Sequence, residues 1–201
     1  MKTLKYLNKI FLLFILTPVI CFSQQKNLVI RVVQDESYTA SEFQTNLTLK
    51  KKGFKFKILL DHVDGVYVFA SVRDSVYRFT ETSPIRDFSY LKLLELRDED
   101  TFNMNRELSL SETGWSYWFY NDSAKWHPFS RNIITFDKGR FVCTKTVKQL
   151  YNVAEGKVIK LRNMNTPLYL FFIAVKEYDE KGIPKTELLR RKIKINWTDE
   201  D

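Results

Sequence analysis

The 201-residue chain carries 32 basic and 24 acidic side chains, for a formal net charge of +8. Its two cysteines are too few for a disulfide-rich scaffold. The cysteines and the two histidines also lack the spacing of a zinc module. The sequence also contains no Gly-rich phosphate loop and no G-x-S-x-G nucleophile elbow.

The first 23 residues have the order of a secretory signal peptide. Lysines at positions 2, 5 and 9 precede an apolar run over residues 10–22. That run is shorter than the roughly 20 residues that a membrane-spanning helix needs. The pattern predicts cleavage after Ser23, with residues 24–201 as the mature chain.

This segment has two alternative interpretations. Cys21 is a candidate for lipidation, but Ile20 stands where lipoprotein sites have a small residue. An uncleaved anchor is disfavoured by the shortness of the run and by the helix-breaking Pro18. We therefore expect an exported protein, periplasmic or extracellular, with no transmembrane segment in the mature chain. The lysine-, asparagine- and isoleucine-rich composition is typical of bacteria.

Removal of the signal peptide lowers the net charge to +5 and leaves 178 residues, enough for one domain with one core. Cys143 is then the single cysteine, so no intramolecular disulfide can form.

The first strands of the mature domain are predicted from alternating apolar residues. In residues 42–50, Leu47 and Leu49 share one face, and in residues 54–61, Phe54 and Phe56 do the same. Because only Lys51-Lys52-Gly53 separates the two runs, the pattern predicts a β-hairpin.

Further strands are predicted along the rest of the chain. The run 168–175 is apolar on both faces, as in a central strand covered on both sides. Short strands with turn signals between them are typical of sandwiches and barrels. We expect a mainly β, single-domain antiparallel β-sandwich of jelly-roll or Ig-like type, with eight to ten strands. The remaining predicted strands cover residues 66–72, 75–80, 131–136, 140–147, 157–162, 167–178 and 187–197.

The stretch WSYWFYNDSAKWHPFS, residues 115–130, holds three of the four tryptophans. One interpretation places its rings in the core, because aromatic side chains dominate β cores. The other interpretation makes it a ligand surface on which sugars or bases stack. The residues of this candidate binding site are Trp115, Trp118, Tyr120, Trp126 and His127.

Two basic clusters lie at residues 50–57 and 190–194. Such charges usually form the solvated face of a strand or protect an edge. The alternative is an anionic partner, although export argues against nucleic acid.

Catalysis has little support in the sequence. A Cys143–His127 couple would supply a thiolate nucleophile, but Cys143 lies in an alternating strand, where a small buried role is usual. Residues 61–65, Asp-His-Val-Asp-Gly, offer metal ligands yet fit a turn between strands. We predict no catalytic residue, no metal and no cofactor.

The sequence thus predicts an exported, non-enzymatic β-sandwich that acts in binding or assembly at the bacterial cell envelope, with a glycan or an envelope protein as partner. One alternative is a carbohydrate-binding module that uses the 115–127 cluster. A second is a small hydrolase with an unrecognised active site.

Overall fold

The structure is a computed structural model and describes residues 28–38, 45–84, 94–95, 104–110, 117–120, 133–137, 139–178 and 184–199. The predicted signal peptide and its cleavage site lie outside these residues. No helix in the described part of the chain is long and apolar enough to span a membrane.

Strands dominate the described residues, which confirms a mainly β protein. The strands are β1 (Leu28–Gln34), β2 (Ser37–Tyr38), β3 (Asn46–Lys50), β4 (Phe54–Leu60), β5 (Gly65–Ser71), β6 (Leu94–Glu95), β7 (Met104–Asn105), β8 (Leu108–Ser109), β9 (Tyr117–Tyr120), β10 (Ile133–Asp137), β11 (Arg140–Val147), β12 (Gln149–Asn152), β13 (Lys157–Lys160), β14 (Leu168–Tyr178) and β15 (Pro184–Thr198). One α-helix, α1 (Asp74–Phe79), follows β5, and a 3-10 helix (Leu161–Asn163) follows β13.

The strands form two main sheets. Sheet A has the order β10-β11-β4-β1-β2. Sheet B has the order β13-β12-β8-β5-β14-β15-β3, with β9 also paired to β5, and β6 and β7 form a separate pair. The fifteen described strands exceed the predicted eight to ten. Four of them span two residues, which is too short to leave a periodic pattern in the sequence.

One core lies between the two sheets, as in a sandwich. Apolar side chains of β1, β4 and β11 meet those of β5, β14 and β15. The rings of Phe56 in sheet A and Phe172 in sheet B are in edge contact across this core, with centroids 5.2 Å apart. Burial of these faces supplies the main driving force for folding.

The prediction of a central strand at 168–175 is confirmed. β14 lies between β5 and β15, and its residues Leu168 to Val175 are all buried. Tyr77 of α1 covers part of the outer face of this strand, with its ring centroid 4.9 Å from that of Tyr169 and 5.5 Å from that of Phe171.

The hairpin predicted for residues 42–61 is wrong, although both strands exist. β3 belongs to sheet B and pairs with β15, whereas β4 belongs to sheet A and pairs with β1 and β11. Residues 51–53 are therefore an arch that carries the chain across the core. The apolar faces of the two strands are therefore buried opposite each other across the core instead of side by side in one sheet. β4 also pairs with a long strand on each of its edges.

The expectation of purely antiparallel sheets is corrected by the same strand. β3 and β15 run parallel, with Leu47 opposite Ile195 and Leu49 opposite Trp197. An arch reverses the chain between sheets, so it does not impose the antiparallel pairing that a hairpin imposes.

The strand predicted at 75–80 is also wrong, because most of this segment is α1. Asp74 and Arg78 form an i,i+4 ion pair of 2.7 Å, and Val76 and Thr80 are both buried. Alternation over six residues does not distinguish a strand from a short helix whose stability comes from tertiary packing.

Candidate functional site

The aromatic cluster predicted from the sequence lies largely outside the described residues. Trp115, Trp126 and His127 are not among them, while Trp118 and Tyr120 belong to β9, of which the structure describes the backbone. β9 pairs with β5, with Tyr120 opposite Gly65. For all five residues, the core interpretation and the ligand-surface interpretation therefore both remain predictions.

Cys143 does not have the environment of a nucleophile. Its side chain is buried in the core of sheet A. Burial raises the pKa of its thiol to about 12, and the nearby Lys145 offsets only part of that effect. The thiol therefore stays protonated at neutral pH, whereas nucleophilic catalysis needs the thiolate.

The Asp61–Asp64 segment is a turn. His62 has the left-handed φ of +53°, and Asp64 Oδ2 accepts a hydrogen bond from the backbone N–H of Glu177 at 3.1 Å. A cavity of about 230 Å³ adjoins this turn. Among the described residues, no group of three or more His, Cys, Asp or Glu side chains could hold a metal ion. The Asp64 carboxylate thus has a structural use in this turn.

Several cations of the two basic clusters have partners within the molecule. Lys51 pairs with Asp199 at 2.8 Å, and Lys52 pairs with Asp35 at 2.7 Å. Near the end of the chain, Lys192 lies 4.1 Å from the ring centroid of Tyr77. These contacts favour the structural interpretation of the clusters.

A second cavity, of about 260 Å³, lies where the arch meets the end of β15, and we call it the arch pocket. Lys51 contributes to it from the arch, and Asn196 and Trp197 contribute from β15. The segment between the 3-10 helix and β14 supplies the rest. The lining residues are Lys51, Met164, Asn165, Thr166, Pro167, Asn196 and Trp197.

Backbone contacts fix the walls of the arch pocket. The N–H of Lys51 donates to Thr198 O at 2.9 Å, which ties the arch to the end of β15. The N–H of Met164 donates to Leu161 O at 3.0 Å and closes the 3-10 turn. Pro167 then lies directly before β14. Three remote segments are thereby held around one cavity.

Trp197 is the aromatic wall of the arch pocket. Its ring is half-buried and packs against the core, with its centroid 6.1 Å from that of Phe54. The indole Nε1 is buried and has no hydrogen-bond partner among the described residues. The ring therefore serves both the core and the cavity.

The polar groups of the arch pocket come from amides, a hydroxyl and an ammonium. Lys51 Nζ donates to Asn165 Oδ1 at 3.3 Å. Asn196 Nδ2 donates to Leu47 O at 3.3 Å, which orients that amide. Asn165 and Thr166 are exposed. One aromatic surface beside a few oriented polar groups is the usual composition of a ligand site.

Sequence reasoning missed this pocket. Trp197 lies at the end of the strand predicted at residues 187–197, but nothing in the local sequence links it to residue 51 or to residues 164–167. Comparisons of the chain with protein-family models, with curated proteins and with solved structures found no match. The candidate site consequently stands on its own geometry.

Proposed function

We propose that the protein is an exported, non-enzymatic binding protein of the bacterial cell envelope and that it holds a saccharide in the arch pocket. The observation that carries the proposal is the half-buried ring of Trp197 beside Asn165, Thr166 and Asn196. Sugars present apolar C–H faces to aromatic rings and hydroxyl groups to amides and alcohols. Export is supported by the N-terminal sequence pattern, and the jelly-roll or Ig-like type of the sandwich is part of the same proposal.

The size of the arch pocket limits what it holds. Ligand sites usually measure about 300–1,000 Å³, and the arch pocket is slightly smaller, at about 260 Å³. The bound portion is then about one sugar ring, with the rest of a glycan in solvent. Affinity for a single ring should accordingly be weak.

Binding is favoured over assembly through an apolar face. Among the described residues, the exposed large apolar side chains are Val72, Phe79, Phe136 and Val158, which lie directly after β5, in α1, in β10 and in β13, respectively. Scattered exposed apolar residues are normal on a protein surface. They do not mark one docking face.

The test is a titration of the purified protein with monosaccharides, followed by tryptophan emission and by calorimetry. Asn165→Ala and Thr166→Val should each weaken binding by about fivefold, the equivalent of one hydrogen bond. Asn163→Ala is the matched control, because Asn163 is also exposed and lies two residues away, outside the arch pocket. Equal affinities for Asn165→Ala and Asn163→Ala would contradict the proposal, as would the absence of any saturable response.

A further inference from the structure

We infer that the arch pocket selects an acidic sugar, whose carboxylate takes the position of Asp199 on the ammonium of Lys51. This inference rests on the proposed function and specifies its ligand. Lys51 is the one charged residue among those that line the arch pocket. Its Nζ contacts Asp199 Oδ1 at 2.8 Å and Asn165 Oδ1 at 3.3 Å.

The two members of this ion pair differ in their exposure. The side chain of Lys51 is 18% exposed, whereas that of Asp199 is 88% exposed. The cation is thus fixed in the pocket wall, and its counter-ion reaches it from solvent. An ion pair with a member in water contributes little free energy, so Asp199 can leave Lys51 at small cost.

When a ligand carboxylate replaces that of Asp199, the ammonium of Lys51 still has one negative charge beside it. A bound uronate would give Lys51 a charge-assisted hydrogen bond, and Asp199 would return to water, where most of its surface already lies. The sugar ring would lie beside Trp197, with Asn165 and Thr166 within the same cavity. A neutral sugar would gain the ring contact but would leave the original ion pair in place.

The arch contains an internal control for this exchange. Lys52 and Asp35 form a similar pair of 2.7 Å, with side chains 34% and 52% exposed, but neither residue lines the arch pocket. Substitutions at this second pair change the charge of the arch equally without touching the cavity. These substitutions therefore distinguish an exchange of carboxylates at Lys51 from a general electrostatic attraction of the uronate to the arch.

The experiment compares glucuronate with glucose and galacturonate with galactose, by calorimetry at one ionic strength. Each pair differs only by the carboxylate at C6. We expect the wild-type protein to bind the uronates more tightly. Lys51→Met should remove this preference, so that uronates and neutral sugars bind that variant with equal affinity, while Lys52→Met should retain it. Urea unfolding of each variant verifies that it is folded.

Asp199→Asn provides a gain of function. It should tighten uronate binding by about two- to fivefold, which is the range of an exposed ion pair, without an effect on neutral sugars. Asp35→Asn should have no effect on either. Equal binding of uronates and neutral sugars would overturn the inference and leave the proposed function standing. Equal gains from Asp199→Asn and Asp35→Asn would also overturn it. Failure of all four sugars to bind would overturn the proposed function itself.

Discussion

Gln34 and Lys50 exchange two hydrogen bonds that join the end of β1 to the end of β3. Gln34 Oε1 accepts from the Lys50 N–H at 2.9 Å, and Gln34 Nε2 donates to Lys50 O at 3.1 Å. The side-chain amide thus pairs with the backbone as a neighbouring strand would. Because β1 and β3 belong to different sheets, this buried glutamine links the two sheets at the arch.

Gln34→Leu should lower the free energy of unfolding by about 2 kcal/mol, since it removes both partly buried hydrogen bonds between the Gln34 amide and the backbone of Lys50. Urea unfolding measures the change. Gln149→Leu is the control, because Gln149 is half-buried in β12 and, within the described residues, its side chain makes no hydrogen bond to the arch. Equal losses for the two variants would show that the contacts of Gln34 carry no special stability.

Trp197→Phe should cost less than about 1 kcal/mol of unfolding free energy. The change removes a buried N–H that has no hydrogen-bond partner in the described part of the chain, which offsets part of the lost apolar area. Trp197→Ala should cost about 3–5 kcal/mol, as large-to-small core substitutions do. If thermal and urea unfolding gave both variants the same loss, the indole N–H would have to be contributing a favourable contact.

The thiol of Cys143 should be inert in the native protein. In a Cys21→Ser background, which leaves Cys143 as the single thiol, a disulfide reagent at pH 8 should react only after unfolding in urea. The reason is burial, which raises the pKa of this thiol to about 12. Fast modification of the folded protein would contradict this environment.

The same pKa shift has a consequence for stability at high pH. The folded thiol keeps its proton above the ordinary pKa of 9.0, where the unfolded thiol begins to lose its own. The stabilisation is therefore complete below about pH 9 and decreases as the pH rises toward 12. Cys143→Ala should flatten this part of the stability profile, measured by urea unfolding from pH 8 to 11.

Arg190→Met should loosen α1. Arg190 donates to the backbone O of Ser83 at 2.7 Å and to that of Thr80, and it forms a bidentate pair with Glu187. Cationic groups stabilise the carbonyl end of a helix. Hydrogen exchange should rise across α1 relative to Arg162→Met, a change at an exposed position of the 3-10 helix. Unchanged protection would show that packing of Tyr77 alone holds the helix.

The tryptophan cluster can be tested apart from the arch pocket. A Trp197→Phe background leaves Trp115, Trp118 and Trp126 as the emitters. A core location predicts blue-shifted emission that iodide does not quench. A red-shifted, quenchable component would instead favour the ligand surface and a carbohydrate-binding module at 115–127.

Part of the fold could be predicted because burial of a strand requires a local pattern of apolar residues in the sequence. The double-sided apolar run of β14 indicated a central strand, and the strands predicted at residues 131–136 and 140–147 correspond to β10 and β11. These two strands pair antiparallel, with Asp137 opposite Arg140. Alternation reports which side chains face the core, so the apolar faces of β3 and β4 were also predicted correctly.

Strand partners and the candidate site could not be predicted in this way. Whether residues 51–53 form a hairpin or an arch depends on which strands pair with β3 and β4. Those partner strands include segments far away along the chain. The arch pocket likewise combines position 51 with residues 164–167 and 196–197. A short segment contains no signal for contacts over such separations.

The sequence by itself determined that the protein is mainly β, which side chains enter the core, and that its N-terminus resembles an export signal. Each of these depends on local periodicity or composition. The tertiary structure alone decided the crossing between sheets, the parallel pairing of β3 with β15, and the meeting of Lys51 with Trp197 and Asn165. These depend on the burial of several remote apolar faces in one core, which is a property of the whole chain.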